Sequence, residues 1–134
     1  MKKLLFLLII TSNIVLGQTN DSYIATVKEG VVLHDKGDYE GAIKKYDEVL
    51  KKDPNNFLAL AEKAYSALML KEYETTISIC KKIIKIHSAT ENLDNIYVTY
   101  GNAYDMKKEP QESLKVYDEG IKVYPEYYHL YYNK

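Results

Sequence analysis

The chain has no tryptophan and, among 134 residues, only two phenylalanines, three prolines, six glycines and one cysteine. Arginine is also missing, so all 18 basic residues are lysines. Without arginine there is no planar fork of the kind favoured for reading phosphates or base edges. The formal net charge of −1 gives no reason to expect binding to a polyanion. A single cysteine excludes an intrachain disulfide and a multi-cysteine metal site. Cys80 lies on an apolar helical stripe and reads as a small core residue. Sparse proline and glycine predict short loops. No glycine-rich phosphate loop, nucleophile elbow or zinc-helix signature occurs.

The three histidines do not supply chemistry either. His34 neighbours Asp35, but adjacent helical side chains diverge by about 100° and cannot form a base and its orienting partner. His87 falls at a helix end, a capping or surface position. His129 follows Glu126 by one helical turn. Two ligands without a third read as a solvated face rather than a metal site. Lysine pairs such as Lys44-Lys45 and Lys81-Lys82 alternate with acids and read as solvated helix faces. No catalytic, cofactor or metal site is expected.

What the chain does have is tyrosine, 14 of them, with 46% hydrophobic and 28% charged residues. That composition supports a core and one small domain. Tyrosine can sit half-buried with its hydroxyl wet, which suits helix faces that border a groove. The first residues read as an address. Lys2 and Lys3 precede an apolar run, Leu4 to Ile10, that resumes at Ile14–Leu16 before Gly17 and the polar Gln18-Thr19-Asn20. This is the layout of a secretory signal peptide over residues 1–17, cleaved before Gln18. The alternative is a retained membrane anchor, for which the run is short and broken by Thr11-Ser12-Asn13. No cysteine follows the run, which disfavours a lipid anchor. Loss of Lys2 and Lys3 would take the net charge from −1 to −3.

After a polar lead-in at residues 18–22, helical spacing and punctuation alternate. The stretch from Gly30 to Pro54 reads as two short helices back to back. Gly37 breaks the first and Asp38 can cap the second. Tyr39, Ala42, Ile43, Tyr46, Val49 and Leu50 then recur at helical spacing, and Pro54 closes the unit. The first helix is expected over about 22–36 and its partner over about 39–52. Asn56 can cap the next helix, over about 57–70, whose partner spans about 73–86. Ser88 followed by Glu91 is a capping-box spacing and predicts a helix from about Ala89 to Met106. Pro110 fits the first position of the helix after it.

The units align. Gly30, Ala64 and Gly101 share one position; Tyr39, Tyr73 and Pro110 another; then come Ala42, Thr76 and Ser113, and Tyr46, Cys80 and Tyr117; Pro54, Ser88 and Pro125 end the units. Gly30 to Ala64 is an offset of 34 residues and Ala64 to Gly101 one of 37, with Thr90-Glu91-Asn92 absorbing the extra three. This pattern resembles the tetratricopeptide repeat family, whose period is about 34 residues. The resemblance covers residues 23–134, as repeats at about 23–56, 57–93 and 94–127 and the start of a fourth at 128–134. It is specific in the first unit, good in the third and degenerate in the second.

The resemblance implies an all-α fold, a right-handed solenoid of antiparallel helix pairs with first helices lining a concave face. It implies protein or peptide binding, as a scaffold or adaptor, and no enzymatic activity. Carried onto this sequence, the candidate groove is Ile24, Val27, Val31, His34 and Asp35 in the first unit, Leu58, Ala61, Tyr65, Leu68 and Met69 in the second, and Asn95, Val98, Asn102 and Asp105 in the third. The competing reading is that many of these pack between neighbouring helices. Family members that grip a terminal carboxylate use Lys and Asn in the groove. The matching first-unit positions here are Val27 and Val31, so carboxylate capture is not expected.

At the other end, Tyr127, Tyr128, Leu130, Tyr131 and Tyr132 crowd the last eight residues. Three explanations stand: the chain is a piece of a longer repeat protein, the short segment caps the third unit, or Tyr128, Tyr131 and Tyr132 stack on a second copy. The function expected is an exported interaction module of a bacterial cell envelope, in the periplasm or at the surface. No nucleic acid partner and no membrane span after cleavage are expected. The alternatives are the input part of a signalling protein and an accessory subunit of an envelope enzyme or uptake complex.

Overall fold

A computed structural model of the chain describes residues 2–134, with side chains from residue 19 onward. The leader read at residues 1–17, and Gln18 after it, lie outside the residues whose side chains are described. Among the described residues there are seven helices and no strand. They are α1 (Lys2–Asp35), α2 (Tyr39–Leu50), α3 (Phe57–Met69), α4 (Tyr73–His87), α5 (Asp94–Met106), α6 (Pro110–Val123) and α7 (Tyr128–Asn133). No helix among the described residues is long and apolar enough to cross a membrane.

The helices pair as hairpins, α1 with α2, α3 with α4 and α5 with α6, and each hairpin packs on the next. This is a right-handed α-solenoid. First helices contact first helices, α1 on α3 and α3 on α5, so they form one layer. The turn inside each hairpin is built the same way three times. Gly37, Lys71 and Lys108 occupy equivalent positions and take φ of 82°, 64° and 72°. The next residue's N–H then returns to the first helix: Asp38 to the Leu33 carbonyl, Glu72 to Ala67 and Glu109 to Tyr104, each at 2.9 Å. Glycine adopts that left-handed backbone freely, whereas a lysine there costs about 1 kcal/mol.

Caps follow the expected chemistry at two starts. Asp38 accepts from the Gly41 N–H at 2.9 Å and Asn56 from the Ala59 N–H at 3.1 Å. Pro110 opens α6. Two expected starts are corrected. α1 is helical through residues 19–22, which the sequence marked as a lead-in. The capping box at Ser88 is not used: Ser88 ends α4, and α5 begins five residues beyond Ala89, at Asp94. The start is set by packing, because Leu93 is buried in the core and its N–H is taken by the Tyr124 hydroxyl at 3.0 Å. Residues 88–92 are the inserted loop.

The core has two parts. Val27, Ala42, Tyr46, Val49 and Ala59 join the first hairpin to the second. A larger cluster, including Leu60, Leu68, Ile83, Tyr97 and Tyr117, runs through the second and third hairpins and reaches Leu130. Cys80 is fully buried there and burial pushes its thiol up to about 12, so it is chemically quiet. α7 packs on α5 and α6. Leu130 is its anchor, completely buried, a contribution of about 2 kcal/mol.

Candidate binding groove

The first-helix layer holds a hollow of about 530 Å³ between α3 and α5. Leu58, Ala61, Glu62 and Tyr65 line it from α3, and Asn95, Val98, Thr99 and Asn102 from α5. Six residues expected in the groove therefore meet: Leu58, Ala61, Tyr65, Asn95, Val98 and Asn102. These are successive turns of two neighbouring helices, and the near-parallel packing of repeats puts them across from one another. Ile24 and Val27 instead border a second recess of about 390 Å³ near Phe57 and His87.

Other expectations are corrected. Val27 and Leu68 are only 2% and 3% exposed and belong to the core. Each sits on the side of its first helix that the hairpin partner or next repeat covers. His34 is a link between units: its Nδ1 lies 2.7 Å from the Ser66 hydroxyl, its ring stacks on Tyr65 with centroids 4.8 Å apart, and it meets Tyr39 edge-on. Val31 is half-buried against the first cluster. Asp35, Met69 and Asp105 are exposed but outside the hollow.

Two polar groups of the hollow are held in place. The Tyr117 hydroxyl donates to Oδ1 of Asn102 at 2.6 Å, and the Tyr127 hydroxyl donates to Oδ1 of Asn95. Both carboxamides are thus fixed by their oxygens, and their NH₂ groups remain for a ligand. In the first unit Val31 stands where Asn102 stands in the third. The Tyr46 hydroxyl is accordingly buried without a hydrogen-bond partner. Burial pushes its phenol up to about 12, and the charges of Glu62 and Asp35 add to that.

Glu62 was not foreseen. It is half-buried, and no hydrogen bond or ion pair to it is found among the described residues. Burial raises its carboxyl above the usual range, His34 draws it down and Asp35 raises it further. A single acid on an apolar helix reads as a solvated face in sequence; the cue was that the residues around it, Ala61 and Tyr65, were already placed in the groove. No group of three or more potential metal ligands occurs among the described residues.

A family model described as TPR repeat matches residues 30–67. No curated protein matches the sequence. Among solved structures, MamA (residue 41 to the end) from Desulfovibrio magneticus RS-1 is 25% identical with a TM-score of 0.68, over 78% of this chain and 58% of that one. The second TPR domain of human RPAP3, in complex with the HSP70 peptide SGPTIEEVD, is 19% identical with a TM-score of 0.75, over 86% and 93%. The first TPR of Spaghetti (RPAP3), bound to the HSP90 peptide SRMEEVD, is 19% identical with a TM-score of 0.71, over 81% and 83%. This chain spans less than two thirds of the MamA structures it resembles, 57% and 58% of them.

Proposed function

We propose that this chain, a member of the tetratricopeptide repeat family, is a non-enzymatic protein–protein interaction module that holds a peptide segment against the layer formed by α1, α3 and α5. The observation that carries this reading is the hollow between α3 and α5, walled by apolar side chains and furnished with two positioned carboxamides. A few polar groups of fixed orientation within an apolar concavity suit recognition of a short segment. Two proteins of the same fold, at 19% identity, have structures in complex with peptides of HSP70 and HSP90. Export belongs to the same proposal: the basic, apolar and small-residue order of residues 1–17 supports a cleaved leader and a workplace in a bacterial periplasm or at the surface.

A photo-crosslinking amino acid placed at Tyr65 tests the groove, with Leu114 on α6 as the control, since both are exposed. A specific adduct from position 65 and none from 114 supports it. Equal labelling from both, or none from 65, overturns it. Export is checked by the N-terminus of the protein in cell fractions, which is expected at Gln18 outside the cytoplasm. An intact N-terminus in the cytosol defeats that part alone.

A further inference from the structure

We infer that the hollow between α3 and α5 takes a short extended segment bearing a lysine or arginine, whose cation seats against the Glu62 carboxylate. This builds on the groove reading above and adds the chemistry of the occupant.

Three observations carry it. The first is sign. Among the described residues, Glu62 is the one charged residue lining the hollow. No lysine among the described residues lines it, in a chain with 18 lysines. α5 carries no basic residue, and the one lysine of α3, Lys63, is taken by Asp47 at 2.6 Å. An incoming carboxylate would meet a like charge and no cation. The second is the state of Glu62. A half-buried carboxylate without an ion pair is costly, and a basic side chain entering from the ligand supplies the missing counterion. His34 offsets the burial of Glu62 only in part and, among the described residues, makes no ion pair or hydrogen bond to it; its Nδ1 is engaged with Ser66 and its ring lies on Tyr65.

The third is spacing. Asn95 and Asn102 are seven residues apart on α5, a rise of about 10 Å. That matches about three residues of extended chain. An extended segment has free carbonyls for the two NH₂ groups, whereas a helical ligand spends its carbonyls internally. Leu58, Ala61, Val98 and Tyr65 then receive the alternate side chains.

The test is a random hexapeptide library displayed on phage and panned on the full chain and on Glu62→Gln, both confirmed helical by circular dichroism. Sequences selected by the parent are expected to be enriched in Lys or Arg at one position and depleted in Asp and Glu. The enrichment should vanish in Glu62→Gln. A synthetic peptide of the consensus should bind the variant about tenfold more weakly and lose affinity with added salt. Selection of peptides neutral or acidic at every position, blocked by Tyr65→Ala, would overturn the cation site and leave the groove standing. Failure to select any peptide would overturn both. A basic preference unchanged in Glu62→Gln would move the cation elsewhere and defeat the assignment.

Discussion

Gly101 lies so close to the ring of Tyr117 that a Cβ added to it would stand 2.2 Å from Cε1 of that ring. Gly30 and Tyr46 repeat the relationship at 2.4 Å in the first unit. In the second unit the same two positions hold Ala64 and Cys80, both fully buried. The methyl of alanine has a place there because the ring is gone. The degenerate look of the second unit is thus a matched pair of changes.

Gly101→Ala is therefore expected to cost about 1–3 kcal/mol through overpacking, despite alanine's better helix propensity. Tyr117→Cys alone should cost about 3 kcal/mol by leaving a cavity. The double variant reproduces the second unit's pair and should lose less than the two costs combined. Urea denaturation of the four proteins measures the coupling, and strict additivity would show that the contact does not set the residue choice.

The hairpin turns give an opposite sign. Lys71 and Lys108 hold the left-handed backbone that Gly37 holds in the first unit. Lys71→Gly and Lys108→Gly should each stabilise by about 0.5–1 kcal/mol, the relief of strain exceeding the added entropy of the unfolded chain. Loss of stability in either would show that the lysine side chain contributes more than its backbone costs.

Glu62 gives a pH dependence. Its carboxyl is raised in the folded state, chiefly by burial, so the folded chain holds that proton more tightly than the unfolded chain does. The ionised form therefore costs stability above the raised value, and the cost disappears as pH falls below the ordinary carboxylate value of about 4.3. Glu62→Gln should melt higher than the parent at pH 7, and the two should converge near pH 4. Thermal unfolding at both pH values decides it; a variant that melts lower at pH 7 would mean His34 outweighs burial.

The last helix separates two roles. Leu130 is buried against Gly120, whose added Cβ would stand 3.0 Å from it. Leu130→Ala should cost about 2–3 kcal/mol. Tyr128 and Tyr132 are 62% and 75% exposed. The face they form with Tyr131 is expected to self-associate, and Tyr128→Lys with Tyr132→Lys to restore a monomer at unchanged stability. Sedimentation of the parent as a monomer across concentrations would end the self-association idea.

Much of this was legible in the residues. Gly–Tyr pairs and closing prolines mark the first and third units, caps at Asp38 and Asn56 mark two helix starts, and such local signals survive without a fold. Six of the positions that the family resemblance implied for a groove line the hollow between α3 and α5. Val27 and Leu68 are buried in the core instead, because an apolar residue on a first helix serves a groove or a seam with the same spacing. Glu62 was passed over because one acid says nothing of its neighbours. The start of α5 was misread because a capping box competes with burial of Leu93, and burial won.

The sequence by itself determined the helix pairs, their order and their register, since period, punctuation and capping act over a few residues. Only the tertiary structure decided which face of each first helix is covered, that α3 and α5 leave a hollow, and that Glu62 stands in it unpaired. Those depend on the rotation from one hairpin to the next and on the loop at residues 88–92. Both are set by the packing of residues 30 or more positions apart, such as His34 on Tyr65 and Tyr124 on Leu93.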